Sequence, residues 1–223
     1  MNPHRLDDAA VAAVYQTIHG RRDIREFVPG PLPDGVLARL FQAGHAAPSV
    51  GYMQPWRMVH VTDPALRESI AVIVEQERRN TAAALPSRKD EFLRLKVEGL
   101  KSCAEVVVVA LMDGRERHIF GRRTLPEMDL ASAACAIQNM WLAARAEGIG
   151  LGWVSIFDPE ALAALLAMPP GARPIAILCI GRAAAFPEKP VLDLLGWGCR
   201  LPLDRVVFEN RWPGDAEPTR PAY

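Results

Sequence analysis

Arg21-Arg22-Asp23-Ile24-Arg25 puts three guanidinium groups and one carboxylate within five residues. Convergent arginines make bidentate, charge-assisted bonds to phosphate, so this cluster points to phosphate rather than to a generic anion. A site built only for phosphate gains nothing from a carboxylate among its arginines. Asp23 is therefore either a structural tie for those arginines or a working group beside a bound ligand. A solvated charged loop is the plainer alternative for the pentapeptide alone. Arg200, just before Leu201-Pro202-Leu203, offers a further positive charge to the same ligand. Ser49 and Gln54 lie one helix away from the arginines and become their neighbours if that helix folds back.

Gly150-Leu151-Gly152-Trp153-Val154-Ser155 places two glycines inside a strand pattern, where they weaken a sheet and often mark close approach by a ligand. Ser155 then stands next to whatever approaches. A glycine-containing strand packed on a helix, with a hydrogen-bonded serine, is the alternative. Ser155 has no nucleophile-elbow context and no partner histidine. His4, His19, His45, His60 and His118 show no ligand spacing, and Cys103, Cys135, Cys179 and Cys199 form no CxxC pair, so metal catalysis has no support.

The elements that must position these groups follow from periodicity and punctuation. Asp7 or Asp8 caps a helix to about Ile18, and Gly20 ends it just before the arginines. Asp34 caps a second helix carrying Val36, Leu37, Leu40 and Phe41 on one face. Ala47 to Trp56 is a loop, followed by a strand from Arg57 to Thr62. Pro64 opens a charged helix to about Thr81, a second runs from Arg88 to Ser102, and Ala82 to Pro86 connects them. Glu105 to Asp113 is a Val-rich strand buried on both faces. Asp129 caps a helix, Leu130 to Glu147, closed by Gly148. Its few polar residues imply burial on most sides, at the centre of the fold or in a subunit interface. Ile149 to Ile156 and Pro174 to Gly181 are core strands joined by a helix, Pro159 to Ala167. Leu201 to Phe208 reads as a strand, and Glu209 to Tyr223 is too rich in Pro and polar residues to pack alone. No repeat or linker divides the 223 residues.

Lys and Arg number 26 and Asp and Glu 26, a net charge of zero. Nucleic acid and acidic membranes are therefore disfavoured as partners. The charged start, Met1 to Asp8, has no apolar secretory core, and no apolar run approaches a membrane span. A cytoplasmic protein is the expectation.

Arg21 to Arg25, Ala47-Pro48-Ser49, Gln54-Pro55-Trp56, the stretch from Asp129 to Gly152 and Arg200 to Leu203 together resemble the nitroreductase-like flavoprotein superfamily over nearly the whole chain. The resemblance implies one α+β domain over residues 1–223, a three-layer sandwich around a mostly antiparallel mixed sheet. It also implies a homodimer with FMN at the subunit interface and an exchanged C-terminal arm. Asp23 stands where the superfamily usually has Ser. With Thr124 to Asp129, Gly152 to Ile156 and Gly196-Trp197, it resembles the 5,6-dimethylbenzimidazole synthase branch, which fragments reduced FMN with O2. That resemblance makes FMNH2 a consumed substrate, O2 a co-substrate and a separate flavin reductase the electron source. It implies flavin contacts at Arg21, Arg22, Asp23, Ile24, Arg25, Ser49, Gln54, Leu100, Ser155 and Arg200, with Asp23 and Ser155 catalytic and no metal. Asp23 would act as a base, its ionised form favoured by the arginines. Residues 82 to 98 would supply a lid. An NAD(P)H-dependent nitro or flavin reductase and a non-catalytic flavin-binding redox protein are the rival readings.

Overall fold

A computed structural model describes residues 3–96 and 99–212. Five strands build an antiparallel sheet: β1 (Phe27–Val28), β2 (Trp56–Val61), β3 (Glu105–Leu111), β4 (Ile149–Val154) and β5 (Arg173–Ala183). β5 is its hub, pairing with β3 along one edge and β4 along the other, while β2 extends the sheet beyond β3.

The β3 and β5 side chains alternate between two cores because successive strand residues point to opposite faces. Val107, Val109, Leu111, Leu178 and Ile180 pack under α2 (Val36–His45) and α5 (Met128–Ala146). Val106, Val108, Ile177 and Cys179 pack with Ile70, Val74 and Leu162 of α3 (Pro64–Ala84) and α6 (Pro159–Leu165). The result is the three-layer α+β sandwich, with helices on both faces of the sheet.

Local chemistry sets most boundaries. Asp7 caps α1 (Asp8–Gly20), Asp63 caps α3 and Asp158 caps α6, each through its carboxylate. Several expected boundaries move. Gly35, with φ 73°, rather than Asp34, precedes α2. Glu127 is the N-cap of α5, while Asp129 lies inside the first turn, where it is buried and paired with Arg115 at 3.0 Å and Arg122 at 3.1 Å. The helix expected from Arg88 to Ser102 is only α4 (Lys89–Arg94), since Leu95 turns extended. Half of the connection expected at Ala82 to Pro86 belongs to α3. No strand forms at Leu201 to Phe208; that stretch is irregular around one 3-10 turn, Leu203–Arg205, and follows the short α7 (Val191–Leu194). Of the expected tail, residues 213–223 lie outside the described residues, as do 97 and 98 of the expected lid. Among the described residues no helix is long and apolar enough to cross a membrane.

Candidate active site

α1 delivers the arginine cluster to the rim of the sheet. Arg21 N–H donates to the Thr17 carbonyl as the helix ends, and the chain then runs extended. α5 fixes it from below: Arg145 Nε donates to the Gly20 carbonyl at 2.9 Å and Trp141 Nε1 to the Arg22 carbonyl at 3.0 Å. Asp23 bridges to Leu151 in parallel fashion, and Ile24 N–H donates to the Leu151 carbonyl at 3.1 Å. The cluster is thus an extra rung on the free edge of β4.

This rung explains the two glycines of β4, and corrects their reading as marks of ligand approach. A Cβ on Gly152 would collide with the Ile24 carbonyl oxygen, and one on Gly150 would lie 2.9 Å from Ile24 Cγ2. The close approach is by the chain's own Ile24, its backbone at Gly152 and its side chain at Gly150.

The arginines divide by role. Arg22 donates to the carbonyls of His19 and Arg21, both at 2.7 Å, and to that of Glu188, so it ties the end of α1 to the C-terminal segment. Arg25 grips Asp23 Oδ2 through Nε at 2.9 Å and Nη2 at 2.5 Å, and Nη2 also donates to the Trp153 carbonyl at 2.6 Å. Arg21 lies over the Trp141 ring at 4.4 Å. Its pKa is held below the usual value, chiefly by burial against the pull of Asp23, with Arg22 and Arg200 adding repulsion. It remains a cation at any physiological pH.

Asp23 Oδ1 accepts from Trp153 N–H at 2.9 Å. Its side chain is 41 % exposed, but that exposure is to the floor of a cavity, with protein around it in depth. Burial consequently pushes its pKa up from the carboxylate norm, outweighing Arg25, the Trp153 N–H and Arg21. The expectation that the arginines decide its ionisation is corrected: desolvation wins.

The cavity that Asp23 lines measures about 860 Å³. Arg21, Arg22, Arg25, Lys96, Lys189 and Arg200 contribute positive charge, while Phe92, Leu95, Trp153, Ile156, Leu192 and Trp197 contribute apolar wall. Ser155 lies between this cavity and a second of about 530 Å³, walled by Leu111, Phe157, Ile175 and the Arg115–Arg122–Asp129 group. The structure therefore gathers Arg21, Arg22, Asp23, Arg25, Ser155 and Arg200. It does not gather the other expected contacts into this cavity. Ile24 and Leu100 are core residues, 4 % and 5 % exposed. Ser49 uses its hydroxyl to accept from Gln54 N–H at 3.0 Å, shaping a loop in which Tyr52 and Gln54 take φ of 54° and 50°. Phe92 was missed, and Trp153 and Trp197, though part of the motifs that carry the resemblance, were not named as site residues. Their signal was aromatic character near chemistry-bearing residues, which is equally the signal of a core.

A phosphorylated aromatic ligand fits this arrangement. The volume falls in the range of small-molecule sites, about 300–1,000 Å³. Arg25 Nη1, Arg22 Nε and Trp153 Nε1 are buried donors without partners among the described residues. Buried donors of this kind are uncommon unless something else satisfies them. Among the described residues no group of three or more His, Cys, Asp or Glu is placed to hold a metal ion.

Known proteins resemble this chain in sequence and fold. A family model described as "Nitroreductase family" matches residues 18–182. A 5,6-dimethylbenzimidazole synthase of Rhodospirillum rubrum is 40 % identical over 187 residues, covering 82 % of this chain and 87 % of that protein. An NADH dehydrogenase of Thermus thermophilus is 29 % identical over 207 residues, 84 % of this chain and 91 % of that one. The crystal structure of a BluB-like flavoprotein from Clostridium difficile 630 has the same fold, with a TM-score of 0.68 at 17 % identity over 89 % of this chain and 99 % of that chain. By the span of the family model and the identity to the Rhodospirillum protein, the chain belongs to the nitroreductase family, in its 5,6-dimethylbenzimidazole synthase branch.

Proposed function

We propose that this protein fragments reduced FMN with O2, yielding 5,6-dimethylbenzimidazole, the lower ligand of cobalamin, and erythrose 4-phosphate. The observation that carries the reading is Asp23: a carboxylate of raised pKa on the floor of an arginine-rimmed cavity, held in one orientation. The identity to a synthase of that name supports it.

Bound FMNH2 supplies both the electrons for O2 and the carbon skeleton of the product. The chain's residues hold it and handle protons. Arg21 and Arg200 take the phosphate, since Arg22 and Arg25 spend most of their donors on carbonyls and on Asp23, leaving Arg22 Nε and Arg25 Nη1 for the ligand. Among the described residues, Oδ2 of Asp23 accepts twice from Arg25, whereas Oδ1 accepts only from Trp153 N–H. The remaining lone pair of Oδ1 is the proton acceptor, directed at the ribityl chain. A raised pKa makes this carboxylate a stronger base than a solvated one. Ser155 hydrogen-bonds the ring, and Phe92, Leu95 and Trp197 exclude water from it.

The working protein is, in this reading, a cytoplasmic homodimer fed by a separate flavin reductase. Ser49 and Gln54 do not line the chain's own cavity, and Tyr52 between them is 85 % exposed. We assign this loop to the partner copy's flavin, with the C-terminal arm exchanged in return. The deciding experiment is anaerobic photoreduction of bound FMN, admission of O2 and chromatographic assay for the benzimidazole. Product is expected; intact FMN recovered in full would overturn the reading. The similarity to the Thermus NADH dehydrogenase favours a second reading, a direct NAD(P)H-dependent reductase. Steady NADH oxidation without an auxiliary reductase would select it.

A further inference from the structure

Trp197 belongs to the residues that carry the family resemblance, and so far its one part is to exclude water from the ring. In the structure it joins two segments that both roof the large cavity. From one side α4 presents Phe92, whose ring centroid is 6.3 Å from that of Trp197 at 54°, and Arg88, whose guanidinium lies 3.6 Å over the indole. Ile156, next to Ser155, packs in the same cluster with Leu95. From the other side the chain continues three residues to Arg200, which lines the cavity and lies near enough to Arg21 to repel it.

Arg200 is itself exposed, on a stretch with no regular secondary structure. A guanidinium on such a stretch loses much side-chain and backbone freedom when it closes on a phosphate. Trp197, held on two faces by α4, limits that freedom before any ligand arrives. An indole over a guanidinium and against a second aromatic ring is a favourable, directional contact.

We propose that Trp197 is a positioning residue for Arg200 and thereby sets the preference of the site for phosphorylated over unphosphorylated flavin. Docked on Arg88 and Phe92, it makes α4 and the Arg200 segment one unit, so covering the ring end and gripping the phosphate end occur together. The inference rests on the flavin-binding part of the proposed function and not on the fragmentation chemistry.

The test is the ratio of riboflavin to FMN dissociation constants, measured by flavin fluorescence quenching on the full chain. Arg200→Ala is expected to lower the ratio roughly ten- to a hundredfold, the loss of one charge-assisted contact. Trp197→Ala should lower it by most of the same factor, and the double variant should lower it little further. Trp197→Phe should restore most of the ratio, because a ring still stacks on Arg88 and Phe92. If Trp197→Ala fails to fold, Arg88→Met removes the clamp from the other side and should reduce the ratio in the same direction. A Trp197 variant that weakens FMN and riboflavin equally would show a plain roof and overturn the proposal. So would losses from Trp197→Ala and Arg200→Ala that simply multiply. Absence of benzimidazole from a protein showing the expected ratios would overturn the fragmentation reading alone.

Discussion

The carbonyl oxygen of Ile24 occupies the space in which a side chain at Gly152 would begin. The arginine cluster, the carboxylate and the strand beneath them are thereby held at a distance that only glycine permits. Gly152→Ala must push the Arg21 to Arg25 segment outward. The overpacking should cost about 1–3 kcal/mol of stability in urea unfolding. It should also detach Asp23 from Trp153 N–H. Gly150→Ala meets the Ile24 side chain at 2.9 Å and Ala183 Cβ at 3.1 Å, less severe than the collision with a backbone oxygen, and should cost less. Equal, wild-type stability in both variants would remove the close-approach argument.

The roles of the arginines separate in binding experiments. Arg21→Ala should weaken FMN by roughly ten- to a hundredfold, about 1.5–3 kcal/mol, and leave riboflavin nearly untouched. Arg25→Ala should show a different pattern, with a modest change in FMN affinity and a large loss of product, because its partner is Asp23. Equal FMN and riboflavin affinities in the wild type would show that the cluster serves something other than phosphate.

Asp23→Asn should keep FMN bound, let reduced flavin reoxidise in air and yield little or no benzimidazole. Ser155→Ala should show a milder loss. In the wild type, product formation should fall on the acid side at a pH above the ordinary aspartate value, because burial raises the Asp23 pKa. The same shift bears on stability. The native state holds the Asp23 proton more tightly than the unfolded chain, so the associated stabilisation is present below the unfolded pKa, about 3.9, and is lost as pH rises through the folded value. Asparagine does not titrate. The stability of Asp23→Asn relative to wild type should therefore improve as pH rises through that window, measured by thermal unfolding at a series of pH values. A difference independent of pH would contradict the raised pKa.

Asp129 is a structural counterpart. Its side chain is 8 % exposed and neutralises both Arg115 and Arg122. Asp129→Ala leaves two guanidinium groups facing each other without it and should cost about 3–5 kcal/mol in denaturant unfolding. A cost under about 1 kcal/mol, the surface-pair value, would show that solvent already screens the group.

Deleting the chain after Arg205 should dissociate or destabilise the proposed homodimer, as read by sedimentation at several concentrations. Val206, Val207 and Trp212 are 55 %, 61 % and 81 % exposed on the single chain, more apolar surface than so short a segment leaves in water without a partner. A stable monomer that still binds FMN would refute the exchanged arm.

The sheet was legible because burial on both faces writes itself as a run such as Glu105 to Leu111, α1 because an aspartate caps it, and α3 because Pro64 opens it. The strand β1 was not, since two residues carry no period. Asp129 was misread as a cap because a capping carboxylate and a buried ion-paired one look alike before their partners are known. The same ambiguity governed Asp23. Its position among arginines suggested an ionised group of ordinary strength, while the depth of protein around it, which sequence does not display, decides the direction of its shift. Ser49 and Gln54 were placed beside the arginines by counting elements, yet the loop's own hydrogen bonds turn it elsewhere.

The rung formed by Asp23 and Ile24 is also what covers the outer edge of β4. Were it released, Gly150 to Trp153 would present unpaired backbone groups on a strand with few side chains to obstruct another strand, the kind of edge that recruits foreign chains. Ligand bound to the arginines opposes that release. Flavin depletion should therefore appear as a loss of colloidal stability, with aggregation beginning at the active site while the helical layers are still folded.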